Sequence, residues 1–511
     1  MAEGSPRRGD LPRSLPGFHL RSPLPGGPMP REPMPDVVVL LPGILGSVLR
    51  KDGRTVWGFS PGQMGRALLT RGGRMRKDLW IEEEDHTADD LGDGITADAL
   101  MPDLHLLPGL WKIDGYSAVR KGIERHFDVT EGENFFSFPY DWRRDNRVSA
   151  RKLARDSHGW LARWREKGNA DAQLILIGHS MGGLVSRYFL EVLEGWRDTR
   201  ALLTFGTPYR GSLNALDTLS NGMTMGPRGL IDLSALTSRF MSLHQLLPTF
   251  KAYDAGDGEL VRVGETEGIP GVDAAKARSA LMDFHREIRS AVATNSQNPD
   301  YQARGPWIHP VVGTGQQTSQ SARWTGSGVE VLRSHGGRDL SGDGTVPRVS
   351  AIPEEFEGGG GVMYSGTRHA AIQNAEAVIH HMTGIIEDLY FSLGDFMQPT
   401  TPPGRISLEV DDLVWGDEPI RVRARSEIDG GDPTATLFSG DSGTPLARST
   451  LVADADSWRL GNFDPPGPGS YSIRVEGPAG VEPVADAVAV ADLTPDEAEA
   501  EADGADDAFG G

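Results

Sequence analysis

The chain has no cysteine among its 511 residues. This absence excludes disulfide bonds, thiolate metal ligands and a cysteine nucleophile, and it is compatible with a reducing compartment. The chain also lacks any run of about eighteen apolar residues, which argues against a membrane-spanning helix. Basic residues are scarce, because 51 Lys and Arg face 72 Asp and Glu for a net charge of −21. That balance disfavours nucleic acid and anionic lipid as partners held by simple charge attraction.

The two ends of the chain are compositionally biased. The first 35 residues hold nine prolines and five arginines but no apolar core of signal-peptide length. We expect residues 1–35 to form a disordered Pro-rich arm, and we expect the protein to be cytoplasmic. Asp492–Gly511 carries eight acidic and no basic side chains. We therefore expect residues 493–511 to form a disordered acidic tail.

Two different patterns lie between these ends. Residues 36–398 alternate strand-like apolar runs with helical patterns, which is typical of an α/β fold with a mostly parallel sheet. Beyond a Pro-rich break near residue 402, short alternating runs separated by Gly, Asp and Pro predict a small all-β sandwich over residues 404–492. The clearest strands of the first region are Val37–Leu41, Leu174–Ile177, Ala201–Phe205, His309–Val312 and Val329–Leu332.

The most informative stretch is residues 178–182, G-H-S-M-G, which fits the pattern G-x-S-x-G. An apolar strand-like run precedes it and a helical apolar stripe follows it. Ser180 is therefore predicted on a sharp strand-to-helix turn that lifts its hydroxyl above the sheet. The N-terminus of the following helix would offer free N–H groups to a developing oxyanion. A simple tight turn is the alternative, but this setting favours a serine hydrolase or acyltransferase.

A serine nucleophile needs a base, and the base needs an acid group that orients it. Asp343 lies in the glycine-flanked loop Ser341–Pro347, after the predicted strand Val329–Leu332, and Asp339 is the competing acid. His369 lies in a loop before the last predicted helix. These residues follow Ser180 in the order serine, acid, histidine, which is the order found in α/β-hydrolases.

The loop after the first strand, residues 41–47 (L-P-G-I-L-G-S), is the candidate for a second oxyanion donor. We predict that the backbone N–H groups of Ile44 and Met181 form the oxyanion hole. A plain strand-ending turn is the alternative for the early loop. The histidines lack metal-ligand spacing with nearby carboxylates, so we expect no metal and no cofactor.

Several motifs together resemble the lecithin:cholesterol acyltransferase family, which includes lysosomal phospholipase A2 and phospholipid:diacylglycerol acyltransferases. The resemblance covers roughly residues 36–395, and it implies an α/β-hydrolase with a helical cap or lid. It also implies a triad of Ser180, Asp343 and His369. The matching segments are Val38–Ser47, Phe138–Arg143 (F-P-Y-D-W-R), Gly178–Gly183, Thr207–Ser212, Gly313–Gly315 and Asp343–Val346.

The resemblance places the cap over about residues 213–300 and makes three apolar residues candidates for substrate binding. They are Met225 and Leu233 in the cap and Trp57 in a segment that matches the family's interfacial loop. An apolar stripe of this kind is also typical of a hydrophobic core. The animal enzymes close the interfacial loop with a disulfide and have no C-terminal β-domain. A lipoprotein partner and a cholesterol acceptor are therefore not carried over.

The sequence thus predicts a serine-dependent enzyme that acts on lipid acyl esters through an acyl-enzyme at Ser180, either as a lipase or phospholipase or as an O-acyltransferase. A non-lipid esterase or thioesterase and a hydrolase-fold binding or scaffold protein are the alternatives. The expected partner is a lipid or other acyl-ester substrate, and no nucleic acid. The cap could contact a membrane surface transiently, and the β-domain could bind a protein.

Overall fold

The chain forms two compact units, Met1–Phe391 and Ser392–Gly511. The predicted linker near residue 402, the acidic tail and most of the N-terminal arm lie outside the residues that the structure describes, so the domain boundaries stay predictions. The computed structural model describes residues 31–58, 72–101, 115–225, 230–356, 361–390, 406–426, 431–440, 444–454, 457–478, 481 and 483–491.

Six parallel strands form the central sheet within the described part of the first unit. They are β1 (Val37–Leu41), β2 (Phe135–Ser137), β3 (Leu174–His179), β4 (Thr199–Phe205), β5 (Trp307–Gly313) and β6 (Met363–Ser365). Their order across the sheet is β6-β5-β4-β3-β1-β2. Along β1, alternate residues enter two different hydrophobic clusters, so both faces of the sheet are covered. Near-continuous apolar runs are what such a sheet requires. The predicted α/β class with a mostly parallel sheet is confirmed.

One predicted strand belongs to a different sheet. Val329–Leu332 pairs antiparallel with Ser321–Trp324 in a small four-stranded sheet, whereas Met363–Ser365 occupies the edge of the central sheet. Only Val329 of the first strand is fully buried. Such partial exposure suits an antiparallel strand with one solvated face, because a strand of a covered parallel sheet is buried on both faces. We expected Val329–Leu332 to be a strand of the parallel sheet that is followed by the Asp343 loop, and this expectation is wrong.

Residues 32–34, which the sequence assigned to a disordered arm, take part in the fold. Glu32–Pro33 pairs in parallel with Phe127–Asp128, and Met34 is buried in the cluster beneath the sheet. Proline is compatible with such a short edge strand, since it needs no ladder donor there. The other strands of the first unit are Ser47–Lys51, Arg54–Trp57, Ile95–Leu100, Thr224–Met225, Ile231–Asp232, Tyr253–Asp254 and Leu260–Val261.

Helices cover the sheet and build the cap. The longest, Asn146–Glu166, is capped by the Asp145 side chain, which accepts a hydrogen bond from the Arg147 N–H, and it packs against the helix that follows Ser180. Among the residues that the structure describes, no helix combines the length and apolarity needed to cross a membrane. The cytoplasmic location stays a prediction.

The α-helices in the described part of the first unit are Gly73–Leu79, Ser117–His126, Asn146–Glu166, Met181–Glu191, Leu213–Asn221, Ser234–Thr237, Met241–Gln245, Ala274–Ser279, Arg286–Asn295, Pro299–Arg304 and Glu376–Asp388. Short 3₁₀ turns occupy Gly195–Asp198, Val263–Glu265, Arg348–Ser350, Glu354–Phe356 and His369–Asn374, and Ala280–His285 is a π-helical turn.

The second unit is a β-sandwich, as predicted. Its two sheets share one core, in which Ile420 and Val422 of one sheet meet Leu437 and Ile473 of the other. One sheet contains Ile406–Val410, Ile420–Ser426, Arg459–Phe463 and Val452–Ala453. The other contains Leu413–Trp415, Val484–Ala491, Gly469–Glu476, Thr434–Ser439 and Pro445–Thr450.

Candidate active site

Ser180 occupies a strained turn between β3 and the helix Met181–Glu191. Its backbone has φ 52° and ψ −122°, a conformation that costs a non-glycine residue about 1–3 kcal/mol. The Ser180 N–H donates to the Phe205 carbonyl at 2.9 Å, which ties the turn to β4. Gly182 permits the close packing, because a Cβ there would lie 2.6 Å from the Pro42 carbonyl oxygen. The predicted elbow is thus present, with its serine at the carboxyl end of the sheet.

The structure brings together the three side chains that the motif order selected. His369 Nε2 lies 3.0 Å from Ser180 Oγ, and His369 Nδ1 lies 2.7 Å from Asp343 Oδ2. His369 begins the 3₁₀ turn that follows β6, and its backbone N–H donates to the Asp343 carbonyl at 2.9 Å. The predicted base and the predicted acid are therefore joined through both backbone and side chain.

The loop of Asp343 leaves one carboxylate oxygen for the histidine. Asp343 Oδ1 accepts hydrogen bonds from the N–H groups of Thr345 at 2.9 Å and Val346 at 2.7 Å. Its side chain is buried, so these donors orient a carboxylate that water does not reorganise. The glycine-flanked loop therefore holds the Asp343 carboxylate through its own backbone.

The competing acid, Asp339, faces elsewhere. Its carboxylate accepts hydrogen bonds from Gln320 Nε2 at 2.5 Å and from the Ser341 N–H at 2.7 Å. The bond from Gln320, followed by that from Ser341, lowers the pKa of Asp339 in an exposed position. Of the two predicted acids, only Asp343 lies beside His369.

Both predicted oxyanion donors lie next to Ser180. Met181 is the first residue of its helix, so its N–H belongs to the turn that has no intrahelical acceptor. Ile44 and Gly43 line the same cavity as Ser180. We call residues 42–47 the oxyanion loop.

The P-Y-D-W-R motif supports this loop, a role that the sequence did not reveal. The Tyr140 hydroxyl donates to the Pro42 carbonyl at 2.7 Å, and Trp142 Nε1 donates to the Ser47 carbonyl at 3.1 Å. The buried Arg143 guanidinium lies 2.6 Å from Asp141, which anchors the motif itself. The tyrosine and tryptophan thus hold the two ends of the oxyanion loop.

Sequence reasoning also missed Tyr116 and His179. The Tyr116 hydroxyl lies 2.8 Å from the Gly43 nitrogen and 3.0 Å from His179 Nδ1, and His179 Nε2 lies 3.1 Å from the His369 carbonyl oxygen. The sequence hint for His179 was its place at the first variable position of G-x-S-x-G, directly before Ser180.

A cavity of about 210 Å³ opens beside Ser180 and His369. The cap contributes an apolar wall to it through Ala215, Leu243 and Leu246, and the acid loop contributes Val346. The described lining residues are Gly43, Ile44, Tyr116, His179, Ser180, Pro208, Ser212, Asn214, Ala215, Leu243, Leu246, Thr345, Val346, His369 and Ala370.

The predicted substrate-binding residues are placed differently. Trp57 is buried, donates from Nε1 to the Leu45 carbonyl at 3.1 Å and packs edge-on against Trp142. Leu233 is buried in the large core cluster. Neither is among the described residues that line the Ser180 cavity. Met225 pairs with Ile231 in a two-stranded ladder, and its side chain lies outside the described part of the structure.

Comparison with known proteins gives one informative match. The family model of lecithin:cholesterol acyltransferase matches residues 112–269. This match supports the interpretation of the chain as an enzyme that acts on lipid acyl esters. A search of curated proteins finds no match.

Two solved structures are similar only at low TM-scores. The mature lipase BlEst2 of Bacillus licheniformis is 13% identical, with 72% of this chain and 96% of that chain covered at a TM-score of 0.28. Phospholipase PlaB from Legionella pneumophila is 10% identical, with 89% and 90% covered at a TM-score of 0.23. The expected resemblance is confirmed by the family model instead: over residues 112–269, which include the P-Y-D-W-R motif and Ser180, this chain matches the lecithin:cholesterol acyltransferase family.

Proposed function

We propose that this chain is a serine-dependent enzyme in which Ser180 attacks the carbonyl carbon of a lipid acyl ester. The observation that carries the proposal is the hydrogen-bonded line from Ser180 Oγ through His369 to the buried Asp343, set on a strained elbow. An isolated serine hydroxyl is a weak nucleophile, and this arrangement supplies both the base and the group that orients it.

In the first half-reaction, His369 Nε2 accepts the hydroxyl proton while Ser180 Oγ bonds to the ester carbon. Asp343 accepts the hydrogen bond from His369 Nδ1–H, so it holds the required tautomer and stabilises the imidazolium. The carbonyl oxygen becomes an oxyanion, and the N–H groups of Ile44 and Met181 donate to it. The tetrahedral intermediate then collapses: the carbon–oxygen bond to the leaving group breaks, and His369 gives its proton to that oxygen. The alcohol departs, and the acyl group stays on Ser180.

In the second half-reaction, His369 takes a proton from an acceptor hydroxyl, whose oxygen attacks the acyl carbon. The tetrahedral intermediate collapses, and His369 returns the proton to Ser180 Oγ. Water as the acceptor gives hydrolysis, and an alcohol gives acyl transfer. The share of each depends on how well the cap excludes water from the acyl-enzyme.

The lining of the cavity supports an apolar acyl chain. Leu243, Leu246 and Ala215 face the space beside Ser180, and burial of each methylene contributes about 0.8 kcal/mol. With a net charge of −21, the chain has no general attraction for an anionic headgroup. Recognition through the acyl chain is therefore proposed.

A fluorophosphonate probe tests the nucleophile directly. The intact protein should be labelled, and Ser180→Ala should abolish the label while thermal unfolding stays close to wild type. Mass spectrometry of products formed from mixed glycerolipids, with and without an added alcohol, should then show fatty acid or transesterified lipid. Labelling that persists in Ser180→Ala would contradict the proposal.

A further inference from the structure

A buried line of three hydrogen bonds joins the oxyanion loop to the backbone of the proposed base. It runs from Gly43 through the Tyr116 hydroxyl and the His179 ring to the carbonyl of His369, with distances of 2.8, 3.0 and 3.1 Å. Tyr116 is 3% exposed and His179 is 5% exposed, so water does not compete for these bonds. The mechanism above uses neither side chain.

The groups at the two ends, a donor N–H at Gly43 and an acceptor carbonyl at His369, determine where the protons lie. The His369 carbonyl only accepts, so His179 Nε2 carries the hydrogen. Burial, and then the nearby His369 ring, lower the pKa of His179 to about 3, so the ring is neutral and Nδ1 is an acceptor. The Tyr116 O–H therefore donates to Nδ1, and its oxygen accepts from the Gly43 N–H. Each donor in the line therefore has an acceptor, and the three bonds all point from Gly43 towards the His369 carbonyl.

The same loop touches the nucleophile. A Cβ on Gly43 would lie 2.9 Å from the Ser180 Cβ and 3.2 Å from His179 Nδ1. Gly43 directly precedes Ile44, the proposed oxyanion donor. A shift of the loop at Gly43 would therefore move the Ile44 N–H relative to the ester carbonyl.

We propose that Tyr116 and His179 are positioning residues, which set the oxyanion loop at the distance from Ser180 that the tetrahedral intermediate needs. The inference rests on the proposed function and adds a role that acts only on the transition state. Tyr140 holds the loop at Pro42 from the other side. Tyr116 and His179 add a connection to the His369 backbone, so donor, nucleophile and base are held in one geometry.

The expected size of the effect follows from oxyanion chemistry. Complete removal of one oxyanion donor costs about 10²- to 10³-fold in kcat. Loss of the Tyr116 hydroxyl leaves the Ile44 N–H present but less well held. We expect Tyr116→Phe to lower kcat roughly tenfold with KM within about twofold, because ground-state binding does not use the oxyanion hole.

The matched control is Tyr390→Phe. The Tyr390 hydroxyl donates to Asp36 at 2.8 Å, just before the amino end of β1 and thus at the sheet edge opposite Ser180. Both variants remove one hydrogen-bonded tyrosine hydroxyl, and only Tyr116→Phe should change kcat. Equal kcat values for Tyr116→Phe and wild type would overturn the inference.

An alkyl boronic acid separates positioning from a general loss of structure. It bonds to the Ser180 oxygen and presents a tetrahedral oxygen to the oxyanion hole, as the transition state does. Its inhibition constant should rise in Tyr116→Phe by the factor by which kcat/KM falls. An unchanged inhibition constant beside a lower kcat would contradict the inference.

Two variants of His179 test the part of the line next to His369. They also test the inference independently if Tyr116→Phe does not fold. Asn and Leu have nearly the same shape, but only the Asn Oδ1 can accept the Tyr116 hydroxyl near the position of Nδ1. His179→Asn should keep a kcat roughly three- to tenfold above that of His179→Leu. Equal kcat values would overturn the inference, whereas esterase activity that survives Ser180→Ala would instead overturn the proposed function.

Discussion

Ser180 combines backbone strain with a hydrogen bond to His369, and these features act together. The strained φ of 52° is held by the hydrogen bond to Phe205 and by close packing at Gly182. The strain directs the hydroxyl to His369, whose orientation in turn depends on Asp343. Because each group is useful only in the presence of the others, we expect substitutions of these residues to be non-additive.

The first prediction concerns this non-additivity. Ser180→Ala and His369→Ala should each lower kcat by about 10⁴-fold or more, and the double variant should lose little further activity. Steady-state kinetics on a soluble ester would measure all three, with circular dichroism to confirm the fold. Losses that multiply in the double variant would show that the two residues do not form one catalytic unit.

The second prediction separates the two acids. Asp343→Asn keeps the size of the side chain but can no longer stabilise the imidazolium, so kcat should fall by about 10³- to 10⁴-fold. Asp339→Asn is the matched control, and it should leave kcat within about twofold because its bonds are to Gln320 and Ser341. Kinetics at pH 8 would compare them, and a larger loss in Asp339→Asn would reverse the assignment.

The third prediction concerns buried histidines and pH. Burial lowers the pKa of His285 to about 4, and its Nε2 donates to the Gln245 carbonyl at 2.8 Å. The unfolded state takes up the proton near pH 6.5, so the stabilising contribution is complete above pH 6.5 and is lost as the pH falls towards 4. At pH 5 the loss is roughly 2 kcal/mol for this residue.

Urea unfolding at pH 7 and pH 5 would measure this loss. His285→Gln can keep a donor to Gln245 but has no titrating ring, so its stability should decrease less on acidification. The exposed His158 provides the control, because His158→Gln should leave the pH dependence unchanged. The same acid sensitivity in His285→Gln and wild type would contradict the prediction.

At the scale of secondary-structure elements, two helices of the predicted cap line the cavity beside Ser180. Leu213–Asn221 contributes Asn214 and Ala215, and Met241–Gln245 with the following Leu246 contributes the leucine wall. Several apolar residues of the predicted cap, such as Leu233, enter the core and do not line this cavity. Periodicity identifies the buried face of a helix without showing whether that face meets a core or a ligand.

The fourth prediction uses this wall. Four extra methylenes buried on Leu243 and Leu246 would be worth about 3 kcal/mol, or about a hundredfold in kcat/KM. We therefore expect p-nitrophenyl decanoate to be cleaved much faster than the acetate. Faster cleavage of the acetate would favour a small-ester enzyme.

A substitution in the wall should remove that preference. Ala215→Phe places a ring in a cavity of about 210 Å³, so it should lower kcat/KM for the decanoate at least tenfold and leave the acetate nearly unchanged. Ala235→Phe is the control, because Ala235 is exposed on the short cap helix Ser234–Thr237. The same chain-length profile in both variants would show that the acyl chain lies elsewhere.

At the scale of the whole molecule, each unit has its own hydrophobic core. The clusters around the central sheet contain residues of the first unit, and the sandwich core contains residues from Ile406 to Val490. A unit with its own core can fold alone. The fifth prediction is that a chain truncated after Pro399 stays folded and reacts with a fluorophosphonate at the wild-type rate. An insoluble or unreactive product would show that the sandwich supports the first unit.

The sequence by itself determined the parts of this protein that depend on neighbouring residues. The apolar runs at Val37–Leu41 and Leu174–His179, the glycines around Ser180 and the turn residues around Asp343 are local patterns, because burial and backbone strain act on each segment directly. Motif order was then enough to select His369 from thirteen histidines. Its catalytic role remains a proposal.

The tertiary structure alone decided the features that join distant segments. Tyr116 meets His179 across 63 positions, and Val329–Leu332 finds its partner outside the central sheet. The same holds for the choice of Leu243 over Leu233 as a wall of the cavity. A hydroxyl, a half-apolar strand and a buried leucine each have many acceptable partners, and only the path of the folded chain brings one of them within contact distance.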